Sequence, residues 1–226
     1  MKTNDSGEMF AYYDKRAAEY DDIYQGKAPG IPEPNVYKED VEKIVKIAAD
    51  FGRGHLIDIG CGTGYWLPHY SRNCSEITLV DQSRRMLVEC QKRVNALHLD
   101  MDVHYIEGNF LEVDFSSGVF ESAVVAFVVS HLTKEISEFF FDKLRKILKP
   151  GANVLWIDGS WSHIRKRHRI KSGPQKRALK NGQAFTIFKR YFDKHDIESA
   201  VEENSLVLDS IYFGDVFFAA QTSLGH

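Results

Sequence analysis

The chain's 226 residues are 43% apolar and 27% charged, the balance of a soluble globular protein with room for one domain of ordinary size. A net charge of −3 argues against a polyanion as the main partner, and three cysteines without CxxC spacing (Cys61, Cys74, Cys90) exclude a disulfide framework and fit a reducing compartment. No apolar stretch approaches the roughly 20 residues that cross a bilayer, and Met1 to Glu8 is polar, so we expect one cytoplasmic domain over residues 1–226, with no membrane or nucleic-acid partner and an open oligomeric state.

The first element reads as a helix carrying Phe10, Tyr13, Ala17, Tyr20 and Tyr24 on one aromatic stripe. Gly26 to Pro34 breaks it, so residues 1–35 form an N-terminal helical cap. A second helix turns Val41, Ile44, Val45 and Ala48 inward and stops at Gly52–Gly54. His55 to Ile59 is a short apolar strand ending in glycines, and a helix with Trp66, Leu67 and Tyr70 follows. Glu76 to Val80 is the next strand. Ser83 caps a helix bearing Met86, Leu87, Cys90, Val94 and Leu97.

Asp102 to Ile106 and Ser122 to Val129 read as further strands, the latter apolar throughout and so central. Thr133 caps a helix running to Leu148, and Asn153 to Ile157 is a fifth strand. The basic stretch from Ser160 reads as two short helices hinged at Gly173-Pro174, a lid over residues 160–184. Asp193 caps a last helix. Leu206 to Phe213 and Val216 to Gln221 then make a hairpin around Gly214-Asp215. Strands alternating with helices imply a parallel α/β sheet of Rossmann-like type with helices on both faces.

The chemistry gathers at Asp58-Ile59-Gly60-Cys61-Gly62-Thr63-Gly64. Such a turn carries a strand into a helix while backbone approaches a ligand. A dinucleotide fingerprint would need its third glycine where Tyr65 stands, and no GKS or GKT follows as in a Walker loop. That leaves a nucleoside cofactor without a pyrophosphate, bearing an amino-acid tail whose ammonium Asp58 could bind. Asp81, seventeen residues past Gly64 at a strand tip, can accept both ribose hydroxyl protons.

These residues resemble the class I S-adenosylmethionine-dependent methyltransferases. DIGCGTG is similar to the family's first motif, LVDQS to its acidic second and EGNF to its third. The resemblance extends through FESAVVAFVVSHL and LRKILKPGA, about two-thirds of the chain. It implies a doubly wound seven-stranded sheet of order 3-2-1-4-5-7-6 with the last strand antiparallel. It also implies an S-adenosylmethionine site holding Asp58, Gly60, Cys61, Gly62 and Gly64 from the loop, with Asp81, Gln82 and Met86 after it. Asn109, Phe110, Ala126 and Phe127 complete that site, and Tyr20 of the N-terminal helix touches the cofactor.

Ligands of open α/β sheets lie beyond the carboxyl ends of the strands, where the N-terminal helix, Ala126 to His131 and Asp158 to Arg190 converge. The acceptor is expected to be a small molecule methylated on nitrogen or oxygen, an acidic one if the basic lid attracts it. Trp161 and His163 are favoured over the arginines as pocket-lining groups. A hydroxyl acceptor needs a base, for which His131 and His163 are the candidates; no metal-ligand spacing occurs. Modification of RNA or protein, or cofactor binding without turnover, are the alternatives. The DPPY or NPPY run of base-amine methylating enzymes is absent, its place held by Ala126-Phe127-Val128-Val129.

Overall fold

A computed structural model describes residues 5–225. The N-terminal helix α1 (Asp5–Arg16) gives way to 3₁₀ turns at Ala17–Ile23 instead of continuing to Tyr24. Met1 to Asn4 of the expected cap lie outside the described residues. Helix α2 (Pro34–Ala49) begins on a proline, whose fixed φ suits a first turn.

The main sheet contains β1 (Gly54–Ile59), β2 (Cys74–Asp81), β3 (Asp102–Glu107), β4 (Phe120–Ala126) and β5 (Leu148–Gly159), with β8 (Leu206–Phe213) and β9 (Phe217–Leu224). Its order is β3-β2-β1-β4-β5-β9-β8, with β1 to β5 parallel and β9 antiparallel to both neighbours. This is the expected topology. It puts the carboxyl ends of β1, β2, β4 and β5 along one rim.

Helices α3 (Leu67–Tyr70) and α4 (Arg84–Leu97) lie with α2 on one face, and α5 (Lys134–Ile147) and α7 (Lys194–Glu203) on the other. Side chains of successive strand residues point to opposite faces. In β1, Leu56 joins the first core while Ile57 and Ile59 join the second, so Asp58 is directed to the first. The three predicted caps form: Ser83, Thr133 and Asp193 accept from Met86, Ile136 and Asp196 amides.

The fourth and fifth strands differ at their ends from the sequence reading. The fourth strand stops at Ala126 because Phe127 turns to φ +59°, its N–H bonded to Ile157 O, before a 3₁₀ turn at Val129–His131. The fifth strand is longer, from Leu148 to Gly159.

The lid is not two hinged helices. One helical turn, α6 (His163–Lys166), is followed by the antiparallel hairpin β6 (Ser172–Ala178) and β7 (Ala184–Arg190). Phe185, Ile187 and Lys189 alternate inward along β7, a period of two that no helix can bury on one face. Pro174, which lacks an N–H, is tolerated in a two-stranded edge.

The hairpin is tied to α7 through Lys171, whose Nζ lies 2.7 Å from Asp193 and 2.8 Å from Asp196. Asp193 and Asp196 also form a reciprocal capping box. Asp193→Ala should therefore lower the unfolding free energy by about 1 kcal/mol, measured as a reduced urea midpoint at unchanged slope.

Candidate functional site

The glycine turn leaves β1 with the Gly60 and Cys61 amides both donating to Val80 O, at 2.8 and 3.0 Å. Gly60 is required twice over. Its φ is +68°, and an added Cβ would sit 2.5 Å from Val128 Cγ2. Gly62 (φ +55°) has open space instead, with Tyr20 the nearest group at 3.8 Å from such a Cβ. That opening belongs to a cavity of about 350 Å³.

At the tip of β2, Asp81 accepts from the Gly62 amide at 2.9 Å and the Ser83 amide at 2.8 Å, one on each oxygen. Each oxygen keeps a lone pair free. Burial pushes this carboxyl up to about 6 against those two hydrogen bonds.

Ten expected cofactor residues line this cavity: Tyr20, Gly60, Gly62, Asp81, Gln82, Met86, Asn109, Phe110, Ala126 and Phe127. Phe110 is buried against Phe115 and Phe140, giving a flat apolar wall. The Asn109 side-chain oxygen already accepts from the Leu111 amide at 3.1 Å, which fixes the amide's direction at the rim.

Cys61, Gly64 and Asp58 stand off from the cavity. Cys61 and Gly64 pack beneath the turn, Gly64 against Cys90. Asp58 accepts from Tyr70 Oη at 2.6 Å and is 3% exposed, so its carboxylate props the turn from the core side. Burial, chiefly, raises it to about 7.

A second cavity, about 300 Å³, adjoins the first. Tyr13, Tyr20 and Phe127 line both and form the boundary between them. Its cationic lining is Arg16, Arg165, Arg169, Lys176, Arg177 and Lys189, with Tyr12, Tyr37 and Tyr191 among them. No Asp, Glu or His occurs among the described residues that line it.

The arginines thus occupy the place expected for Trp161 and His163. Arg165 faces inward on α6 and is buried, which turns its helical neighbour His163 outward, 69% exposed and 3.8 Å from Asp215. His163 lines neither cavity. Trp161 stacks on Tyr191, itself a wall residue.

His131 lines the first cavity at this boundary. Its Nδ1 lies 2.8 Å from Phe188 O and its Nε2 2.7 Å from Tyr13 Oη. The carbonyl can only accept, so Nδ1 carries the proton and Nε2 accepts from Tyr13. Burial, then the ammonium of Lys189, holds His131 well below the usual histidine range. It is neutral at pH 7.

Lys189 is bonded to Ser130 Oγ and, at 3.2 Å, to Asp158 Oδ1. Asp158 is fully buried and also accepts from the Ser130 and Gly159 amides. Sequence reading missed this pair, which joins positions 31 residues apart without a local signature. Among the described residues no group of three metal-ligating side chains forms, and no helix is long and apolar enough to cross a membrane.

Residues 56–151 match the model of a methyltransferase domain family. A curated relative is the carboxy-S-adenosyl-L-methionine synthase of Vibrio vulnificus (strain YJ016), 27% identical over 150 residues, which cover 63% of this chain and 58% of that protein. The phosphatidylethanolamine N-methyltransferase of Cereibacter sphaeroides is 26% identical over 105 residues, 46% of this chain and 50% of that one. The match therefore spans little more than half the length of these relatives.

Among solved structures the fold is shared with the DhpI-SAM-HEP complex (TM-score 0.76, 20% identity, 98% of this chain and 99% of that one). It is shared also with the N-methyltransferase NodS of Bradyrhizobium japonicum WM9 bound to S-adenosyl-L-homocysteine (TM-score 0.68, 13% identity, 97% and 100%).

The environment of Asp58 has a measurable consequence. Its folded value near 7 lies above the ordinary 3.8, so the native state holds the extra proton and this residue's contribution to stability is lost as pH rises from about 4 to 7. Asp58→Asn keeps the Tyr70 bond without the charge. In urea denaturation of the ligand-free protein, the variant should gain on the wild type with rising pH, by ~4 kcal/mol at most between pH 4 and 8. A constant difference across that range would contradict the assignment.

Proposed function

We propose that the chain is a class I S-adenosylmethionine-dependent methyltransferase and that it methylates a small acidic molecule held in the second cavity. One observation carries the choice of acceptor: a pocket with no acid or histidine among the described residues that line it, and with six cationic side chains and several tyrosines, shares three side chains with the cofactor cavity. Such a lining favours an anion and repels an ammonium.

The first cavity suits the donor. Asp81 takes the ribose hydroxyls on its two free lone pairs, at roughly 1.5–3 kcal/mol for each charge-assisted bond. Gly60 and Gly62 let backbone close on the amino-acid tail, and Phe110 and Asn109 receive the base. S-adenosylmethionine supplies an electrophilic methyl group on a sulfonium sulfur.

The protein's own contribution is alignment and exclusion of water. Tyr13, Tyr20 and Phe127 frame the passage between the cavities, with Tyr13 held by His131 and Phe127 by the Ile157 carbonyl. A cavity of about 300 Å³ has the size for a small acceptor.

Calorimetric titration with S-adenosylhomocysteine, with NAD⁺ in a parallel cell, tests the donor assignment: micromolar binding of the first and none of the second is expected. Failure of S-adenosylhomocysteine to bind would sink the reading. Asp81→Ala should weaken that binding about 100-fold, the loss of two charge-assisted bonds. For the wild type, affinity should fall as pH drops through about 6, where Asp81 takes up a proton and gives up acceptor capacity.

A further inference from the structure

The cations around the second cavity are not equivalent. Lys189 is engaged by Asp158 and Ser130, Arg177 by Gln175 and Tyr191, and Arg16 by Tyr12. Arg165 donates to Tyr37 Oη and Val216 O but keeps its Nε without a partner, although the residue is only 8% exposed. Arg169, half-buried, makes no side-chain hydrogen bond or ion pair among the described residues, and the guanidiniums of Arg177 and Arg165 crowd it. A guanidinium crowded by two others and left without a counterion is destabilised by like-charge repulsion. An oxyanion in this cavity would relieve that crowding.

The same lining has no ready proton acceptor. The tyrosines at the boundary, Tyr13 and Tyr20, are pushed up by burial. His131 is already accepting from Tyr13 and faces Lys189, so an imidazolium there would lie beside an ammonium. The cations lower Tyr191 against its burial, yet its oxygen accepts from Arg177 at 3.0 Å and its hydroxyl donates to Gln175 Oε1 at 3.4 Å, so it is engaged on both sides. Asp158 is sealed under Lys189. An alcohol or ammonium acceptor would therefore have nowhere to leave its proton.

We propose that Arg169 grips an oxyanion of the acceptor, a carboxylate or phosphate group, and that an oxygen of this same group receives the methyl. The first half stands on the cavity alone; the second rests on the proposed methyl transfer. In that step an oxygen lone pair forms the C–O bond, the methyl–sulfur bond breaks, and its electron pair stays on sulfur. One negative charge and the sulfonium charge vanish together, no proton moves, and the product is a methyl ester.

Two measurements decide the two halves. Inorganic phosphate and acetate are titrated calorimetrically into the protein, with Arg169→Ala beside wild type and Lys146→Ala, on the exposed face of α5, as a control for net charge. We expect phosphate or acetate to bind in the millimolar range or tighter, whichever is preferred naming the oxyanion class. Arg169→Ala should weaken it at least tenfold and Lys146→Ala less than twofold. Absence of binding by either anion, or equal binding by Arg169→Ala, overturns the grip.

S-adenosylmethionine is then supplied with small carboxylates and small organic phosphates, each with and without an amino or hydroxyl group elsewhere, and products are identified by mass spectrometry. Methyl esters that form whether or not the extra group is present, at a rate flat from pH 7 to 9, are the expected result. Transfer confined to compounds with an amino or hydroxyl group, giving N-methyl or ether products, overturns the second half. So does the absence of transfer to any oxyanion by protein that binds S-adenosylhomocysteine. Loss of S-adenosylhomocysteine binding, with the anion titration intact, would instead indict the methyltransferase reading.

Discussion

The buried pair of Lys189 and Asp158 holds together what the rest of the site depends on. Asp158 belongs to β5 and Lys189 to β7, and the pair lies between the main sheet and the hairpin. Removing two charges from water costs several kcal/mol per ion, and their attraction repays this only where further hydrogen bonds complete the arrangement. Here they do: Asp158 takes the Ser130 and Gly159 amides, and Lys189 takes Ser130 Oγ. The gain is position rather than net stability. The pair fixes the 3₁₀ turn bearing His131, His131 fixes Tyr13 of α1, and Tyr13 stands between the cavities.

Two kinds of acid at the rim are thereby separated. Asp81 is held by backbone amides and turned toward a cavity, so it can take hydroxyl protons from a ligand. Asp158 is enclosed by a lysine and cannot. Asp58, two strands from Asp158 and on the opposite face of the sheet, turns with Leu56 toward the first core and finds Tyr70 instead. Three strand-end carboxylates in one fold thus have three roles, set by register and not by residue type.

Much of this was legible in the sequence. DIGCGTG and LVDQS fix a turn, a strand tip and their spacing, which are local chain geometry; the alternation of elements implied a parallel α/β sheet, and its strand order came with the family resemblance. Residues placed by helix phase were less so. His163 and Arg165 are two apart, and only packing of α6 against Tyr37 and Val216 decides which turns inward.

The hairpin was misread because Lys and Arg at Lys176, Arg177 and Lys180 mask the apolar alternation of Phe185 and Ile187. That alternation was the available signal. The Lys189–Asp158 pair was beyond sequence reasoning, since nothing near either residue requires the other.

Besides the buried Lys189–Asp158 pair and the bond from His131 to the Phe188 carbonyl, the hairpin over the second cavity is joined by contacts at its surface. Glu8 accepts from the Thr186 amide, Glu19 from the Lys180 amide, and Lys180 pairs with Asp22 at 2.5 Å with its side chain 54% exposed. Exposed ion pairs of this kind contribute about 0–1 kcal/mol each. Beneath them, Tyr12 packs with Leu179, Phe185 and Ile187 in a small apolar cluster of its own, apart from the two main cores.

The two cavities are therefore built differently. The first is walled by strand ends and the glycine turn, which rest on the two large cores, whereas the walls of the second are shared between that floor and the hairpin with its own small cluster. Side chains on separate elements converge on the second cavity, so its shape depends on how the hairpin and the N-terminal helix pack together.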